Sequence, residues 1–220
     1  MANLLPGYTY EKGIGRYRSE KTGRFVARSK ITELLEQNVD AADSKLQNLA
    51  EALHEGKIDP STFVYQAKTE LKRAHLQNRA IGAGGWDNLD SSDFGAVGGR
   101  LNASYRKIIG TAEDIRDGKI SLAQSKARMH SYMGDARRHY YDAEKTRRKP
   151  EPGTLIIYRR IAAMDAATCA DCMNYYAMGW QLSLPSPGEA CVCNGNCRCT
   201  VLEKTVLETA VSEWIGTKRA

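Results

Sequence analysis

A chain of 220 residues, 42% hydrophobic and 26% charged, has the balance of an ordinary globular protein and enough length to bury a core in one or two domains. No apolar run approaches a membrane span, which excludes an integral helical membrane protein; no membrane partner is expected. The net charge of +6 is informative mainly through its placement in two blocks: residues 11–30 hold seven basic side chains against Glu11 and Glu20, and residues 126–149 hold eight against Asp135, Asp142 and Glu144. Such blocks are candidate footprints for an anionic partner, with solvated helix faces as the plainer reading.

Residues 1–28 lack helical periodicity and read as an extended arm, in which Tyr17 and Phe25 flank a hairpin turn at Lys21-Thr22-Gly23. From Ser29, taken as an N-cap, Ile31, Leu35, Val39, Ala42, Leu46, Leu49 and Leu53 recur at three- and four-residue intervals and predict an amphipathic helix. Gly56 ends it. Asp59 and Pro60 then cap and start a second helix through Phe63, Ala67, Leu71 and Ala74. The glycine-dense stretch 82–100 predicts a flexible connection, pinned by Trp86, and it lacks the Gly-Lys-Ser/Thr ending of a phosphate loop.

A third stripe resumes from Phe94 through Val97, Leu101, Tyr105, Ile108 and Ile115 and stops at Gly118. Ser121 caps a fourth helix carrying Leu122, Ser125, Met129, Tyr132, Ala136, Tyr140 and Ala143. The turn Glu55-Gly56-Lys57-Ile58 recurs as Asp117-Gly118-Lys119-Ile120, so two helical hairpins stacked as a bundle of about four helices are expected over 29–145. His54, His75, His130 and His139 fall within these helical patterns and read as packed or solvated. Residues 146–154, TRRKPEPGT, read as a linker, and 155–161 as a strand by their β-branched and aromatic content. Short strands are expected at 180–184 and 200–202, and a last short helix through Val206, Leu207, Val211 and Trp214. The fold class predicted is α+β, mostly α: a helical bundle followed by a small β-containing, zinc-stapled domain over 155–220.

All six cysteines lie in that last domain: Cys169 and Cys172 as C-x-x-C, then Cys191, Cys193, Cys197 and Cys199 as C-x-C-x-x-x-C-x-C. Structural zinc takes four ligands in a closed tetrahedron and can replace a hydrophobic core in a small loop-rich element. The ligand set expected is Cys169, Cys172, Cys193 and Cys197, with Cys191 and Cys199 as alternates. Two zinc ions sharing six thiolates, or three disulfides in an oxidising compartment, are the other arrangements the spacing allows. A catalytic zinc is disfavoured because no histidine lies in the stretch. The opening residues, MANLLPGYTYEKGIG, do not read as a signal peptide.

Asp165, Thr168, Cys169 and Cys172, followed by Trp180-Gln181-Leu182 and closed by Asn194-Gly195-Asn196-Cys197-Arg198-Cys199, resemble the C-terminal domain of phage head morphogenesis proteins of the Mu protein F type. That pattern is Asp, Thr, a C-x-x-C pair and a terminal His-Pro-x-Cys-Arg-Cys. Upstream, residues 16–26 and the run from Gly118 to Tyr132 look like parts of the same minor head proteins. One departure is that the family's His and Pro positions hold Asn194 and Gly195 here, so Cys193 or Cys191 must replace that His if a metal is kept.

The resemblance implies a minor capsid component associated with the portal or the inner capsid surface, assembled in the host cytoplasm and carried in the virion. Portal and major capsid protein are then the expected partners, with packaged DNA a further one. Arg16, Arg18, Arg24, Arg28, Arg137, Arg138, Arg147 and Arg148 become the candidate portal or nucleic-acid contacts. The alternative is a zinc-ribbon-like nucleic-acid binder. No G-x-S-x-G, H-E-x-x-H or Gly-rich phosphate motif gathers catalytic side chains, so neither an enzyme nor a small-molecule substrate is expected.

Overall fold

The computed structural model describes residues 4–166, 168–193 and 197–217. It is mostly helical, with two small antiparallel sheets.

Helix α1, Arg28–His54, buries Ile31, Leu35, Val39, Ala42, Leu46, Ala50 and Leu53, the anticipated stripe with Ala50 facing inward and Leu49 at its margin. It starts at Arg28, with Ala27 in extended geometry and no side-chain cap, so Ser29 is not its N-cap. Helix α2, Pro60–Ala83, does begin as expected: the Asp59 carboxylate accepts the Ser61 and Thr62 N–H groups and Pro60 occupies the first turn. The two related turns close identically. Gly56 and Gly118 take φ of 68° and 66°, and Lys57 and Lys119 each donate a 2.8 Å N–H bond back to Ala52 and Asp114, which satisfies carbonyls at both helix ends.

The stretch 82–100 is a correction. Helix α2 continues to Ala83, Gly84 caps it in the left-handed region, and a 3₁₀ turn at Trp86–Asn88 leads directly into α3, Ser91–Arg116. Helix α3 thus contains Gly95, Gly98 and Gly99. Two features outweigh their flexibility: a capping box between Asp90 and Asp93 fixes the first turn, and Val97, Leu101, Ile108, Ala112 and Ile115 bury the inner face.

The expected fourth helix is two helices. Helix α4, Leu122–Tyr132, opens on the Ser121–Gln124 capping box, and α5 spans Ala136–Arg147. Between them, N–H bonds reach back only three residues, from Met133 to His130, Gly134 to Ser131 and Ala136 to Met133. The chain turns there and Met133 is buried. Helix α1 packs on α2 and α4, α2 on α3 and α5, and α3 on α4, around a core that includes Leu46, Phe63, Leu71, Leu101, Ile108 and Met129.

In the arm, β1 (Tyr8–Glu11) pairs with β2 (Arg16–Ser19). The anticipated turn at Lys21-Thr22-Gly23 is also present, because Arg18 bridges to Phe25. The C-terminal sheet pairs β3 (Thr154–Ile161) with β4 (Thr200–Leu207), in register from Thr154↔Leu207 to Ile161↔Thr200. Instead of a strand, residues 180–184 contribute single bridges, Tyr158↔Gln181 and Trp180↔Ile215. The tail helix shrinks to α7, Val211–Trp214, because Val206 and Leu207 belong to β4; Val206 lies with Ile157 and Trp180 in a small separate core.

Arm, helices and C-terminal sheet share a core of Leu5, Tyr17, Ile31, Ile81, Tyr140 and Val201. Above it runs an ion-pair chain. Arg28 bonds Glu144 at 2.6 Å and lies 3.8 Å from Glu203, which also holds Arg148. The stretch read as a linker therefore starts inside α5 and turns a side chain back onto β4.

Candidate metal centre

Cys169, in extended geometry, serves as the N-cap of α6, Ala170–Ala177, its Sγ accepting the Cys172 N–H at 3.5 Å. One helical turn thereby aims both sulfurs of the C-x-x-C pair the same way. The helix was not anticipated, since this stretch reads as loop. From α6, the Asp171 carboxylate accepts the Val192 N–H at 2.9 Å and Tyr175 donates to the Ala190 carbonyl at 3.2 Å. These two bonds hold Cys191 and Cys193 against the helix. Cys197 and Cys199 immediately precede β4, so the sheet brings them in from the other side.

All six thiols converge. Cys169, Cys172, Cys191 and Cys193 form one group whose sulfurs all lie within 4.8 Å of one another, and Cys172, Cys197 and Cys199 form a second. Cys193 is 3.5 Å from Cys169, 3.6 Å from Cys172 and 3.1 Å from Cys191, and Cys172 is 3.5 Å from Cys197. None is disulfide-bonded. Of the expected ligands, Cys169, Cys172 and Cys193 fall in the first group and Cys197 in the second, joined through Cys172. Asn194-Gly195-Asn196, the expected turn within this segment, lies outside the described residues.

Sulfurs this close cannot all carry charge unaided. Hydrogen bonding from Cys199 holds the Cys197 thiol low, and burial drives the Cys172 and Cys193 thiols up, while Cys199 is raised first by the neighbouring Cys197. Cys169 is held at about 7: burial works against its ionisation, but the backbone N–H groups of Cys172 and Cys193 outweigh it. A divalent cation removes the conflict by stabilising every thiolate at once. The cluster can hold a metal ion.

Its surroundings are built for negative charge. Arg160 on β3, 1% exposed, directs one N–H at Cys197 Sγ, 3.9 Å away, donates another to the Pro185 carbonyl, and lies over the Tyr175 ring. No carboxylate among the described residues pairs with it. Asp165 and Thr168 bond each other in both directions, at 3.0 and 3.1 Å, and Asp165 also accepts from Arg198 at 2.8 Å. Asp, Thr and the Arg between the last two cysteines thus form one clasp across the cluster. Arg160 was not singled out from sequence; its only signal is a double arginine in a strand adjoining a cysteine-rich segment.

The candidate contact arginines are largely engaged within the molecule, in pairings the sequence did not show. Arg18 pairs with Glu11, Arg28 with Glu144, Arg137 with Glu36, Arg138 with Glu189, Arg147 with Asp93 and Arg148 with Glu203. Arg16 stacks on Phe25 at 4.2 Å, and only Arg24 is exposed without an ion pair among the described residues. The reason is sequence distance: most of these acidic partners lie far along the chain.

Among the described residues no helix is long and apolar enough to cross a membrane. No family model matches the chain, and no curated protein or solved structure is significantly similar to it.

Proposed function

We propose that this chain is a non-enzymatic structural protein of a tailed-phage head, a minor capsid component seated at the portal or inner capsid surface during head morphogenesis and DNA packaging. The helical body, α1–α5, bears the contacts, and a zinc ion held by cysteines staples the C-terminal element. The observation that carries this reading is the meeting in space of the motif residues on which the resemblance rests. Asp165, Thr168 and Arg198 clasp one another over the convergent cysteines.

Zinc is the metal of choice because an all-thiolate site of closed geometry suits it and needs no open coordination position. Internal engagement of the arginines favours assembly over the nucleic-acid-binding alternative, since few of the singled-out guanidiniums remain to meet phosphates. The test is to fractionate phage heads on a density gradient and probe them with an antibody to this chain. Co-migration with intact heads at high salt is expected. Finding the chain only in the soluble fraction, with DNA binding that weakens steeply as salt rises, would favour the alternative.

A further inference from the structure

We infer that the cysteine cluster is a binuclear centre, in which six thiolates hold two zinc ions and Cys172 and Cys193 bridge them. This rests on the zinc-stapled reading and deepens it. Four sulfurs around one zinc, each about 2.3 Å from the metal, stand about 3.8 Å apart along a tetrahedral edge. The separations of Cys172 from Cys193 and Cys197, and of Cys169 from Cys193, at 3.5 to 3.6 Å, are close to that edge.

One zinc would use four sulfurs and strand two. Here no sulfur stands apart. The first group is already a complete set of four, Cys169, Cys172, Cys191 and Cys193, while Cys197 and Cys199 sit against one of its members, Cys172. Cys197 and Cys199 are 3% and 5% exposed, turned away from solvent.

A second ion bound by Cys197, Cys199 and Cys172 needs one more ligand, and we assign it Cys193, 3.6 Å from Cys172; since Cys193 lies beyond 4.8 Å of at least one of Cys197 and Cys199, binding the second ion draws these sulfurs together. Each ion then has two terminal thiolates, Cys169 and Cys191 on the first and Cys197 and Cys199 on the second. A small cavity of about 10 Å3 opens between Cys169, Cys172, Cys193 and Cys199, thiols belonging to both groups. Space therefore lies between the two sets.

The charge of such a centre is partly offset by the protein. Six thiolates and two dications leave the centre at −2, and the buried Arg160 guanidinium beside Cys197 supplies one compensating positive charge.

The test uses the full untagged chain, loaded with zinc and dialysed, with metal measured by elemental analysis and native mass spectrometry. Two zinc ions per chain and six thiols protected from alkylation until chelator is added are expected. One zinc with two reactive thiols overturns the binuclear centre but leaves the single staple standing; no zinc overturns both. In protein loaded with cadmium-113, two resonances coupled through shared sulfur are expected, and a single resonance contradicts the bridge. Cys199→Ser should retain one ion per chain; if it retains two, Cys199 is not a ligand and the assignment falls.

Discussion

A guanidinium sealed from water stays charged, so burying it is costly unless something negative lies beside it. Arg160 is sealed in this way, and its one sulfur neighbour is Cys197. Replacing it by methionine preserves the packing against Tyr175 but removes the cation. Arg160→Met is expected to weaken zinc binding by about 10- to 100-fold, the range typical of lost outer-shell partners, with partial rescue by Arg160→Lys. Competition against a chromophoric chelator reads this directly, and unchanged affinity would mean that Arg160 does no more than pack. At this scale the cysteines were legible from type and spacing, because a thiol pair at C-x-x-C has few other uses. The charged residues were not. Arg147, read as an outward contact, pairs with Asp93, which lies 54 positions earlier in the chain and is 1% exposed. Burial pushes the Asp93 carboxyl up, but Arg147, the Asp90 N–H and Arg79 together hold it below the usual range. Nothing local in the sequence announces a partner that distant.

Glycine shows why element-level reading succeeded in some helices and failed in others. In α3, a side chain added at Gly98 would meet nothing within 4 Å, whereas at Gly82 in α2 it would meet the Tyr140 carbonyl oxygen at 2.3 Å and Ala143 Cβ at 3.0 Å. The first glycine is tolerated by a helix held through its other face. The second is a point where the α5 backbone lies directly on α2. Gly98→Ala is therefore expected to stabilise by about 0.5–1 kcal/mol through helix propensity, and Gly82→Ala to destabilise by about 1–3 kcal/mol by forcing the helices apart. Thermal unfolding of the two variants should shift in opposite directions; shifts of the same sign would refute this account of α2 and α5. Apolar stripes and caps made α1, α2 and the start of α4 readable, since Asp59 and Ser121 act locally. The break between α4 and α5 was hidden because the inward stripe continues unbroken through Met129, Tyr132, Met133 and Ala136. Helix α6 was hidden for a different reason: its eight residues are too few to show a period, and its N-cap is a cysteine.

Across the whole molecule, buried ionisable groups set how stability responds to acid. His75 and His139, on α2 and α5, meet edge-to-face with ring centroids 5.0 Å apart and are 1% and 0% exposed. Burial first, with Arg100 adding to it, lowers His75 to about 4; burial, then His75, Arg100, Arg79 and Arg138, lowers His139 to about 2. In the unfolded chain both titrate near 6.5. Between that value and the folded ones the unfolded state takes up protons that the native state refuses, so stability falls as pH drops through this window. At pH 5 the loss is about 2 kcal/mol per histidine on that basis. Glu203 acts in the opposite sense: burial, then the Glu144 carboxylate, raise it, so the native state holds its proton more tightly and its contribution grows toward low pH. Two histidines act against this one carboxyl, so the net response from pH 7 to 5 should be a loss of stability. Urea unfolding at pH 7 and pH 5 is expected to show a clear loss of stability in the wild-type chain and a much smaller one in His75→Gln/His139→Gln, with any acid release of metal common to both. An equal loss in the two proteins would place the acid response elsewhere, in the thiolate centre or the carboxylates, and would mean that the α2–α5 contact is indifferent to proton uptake.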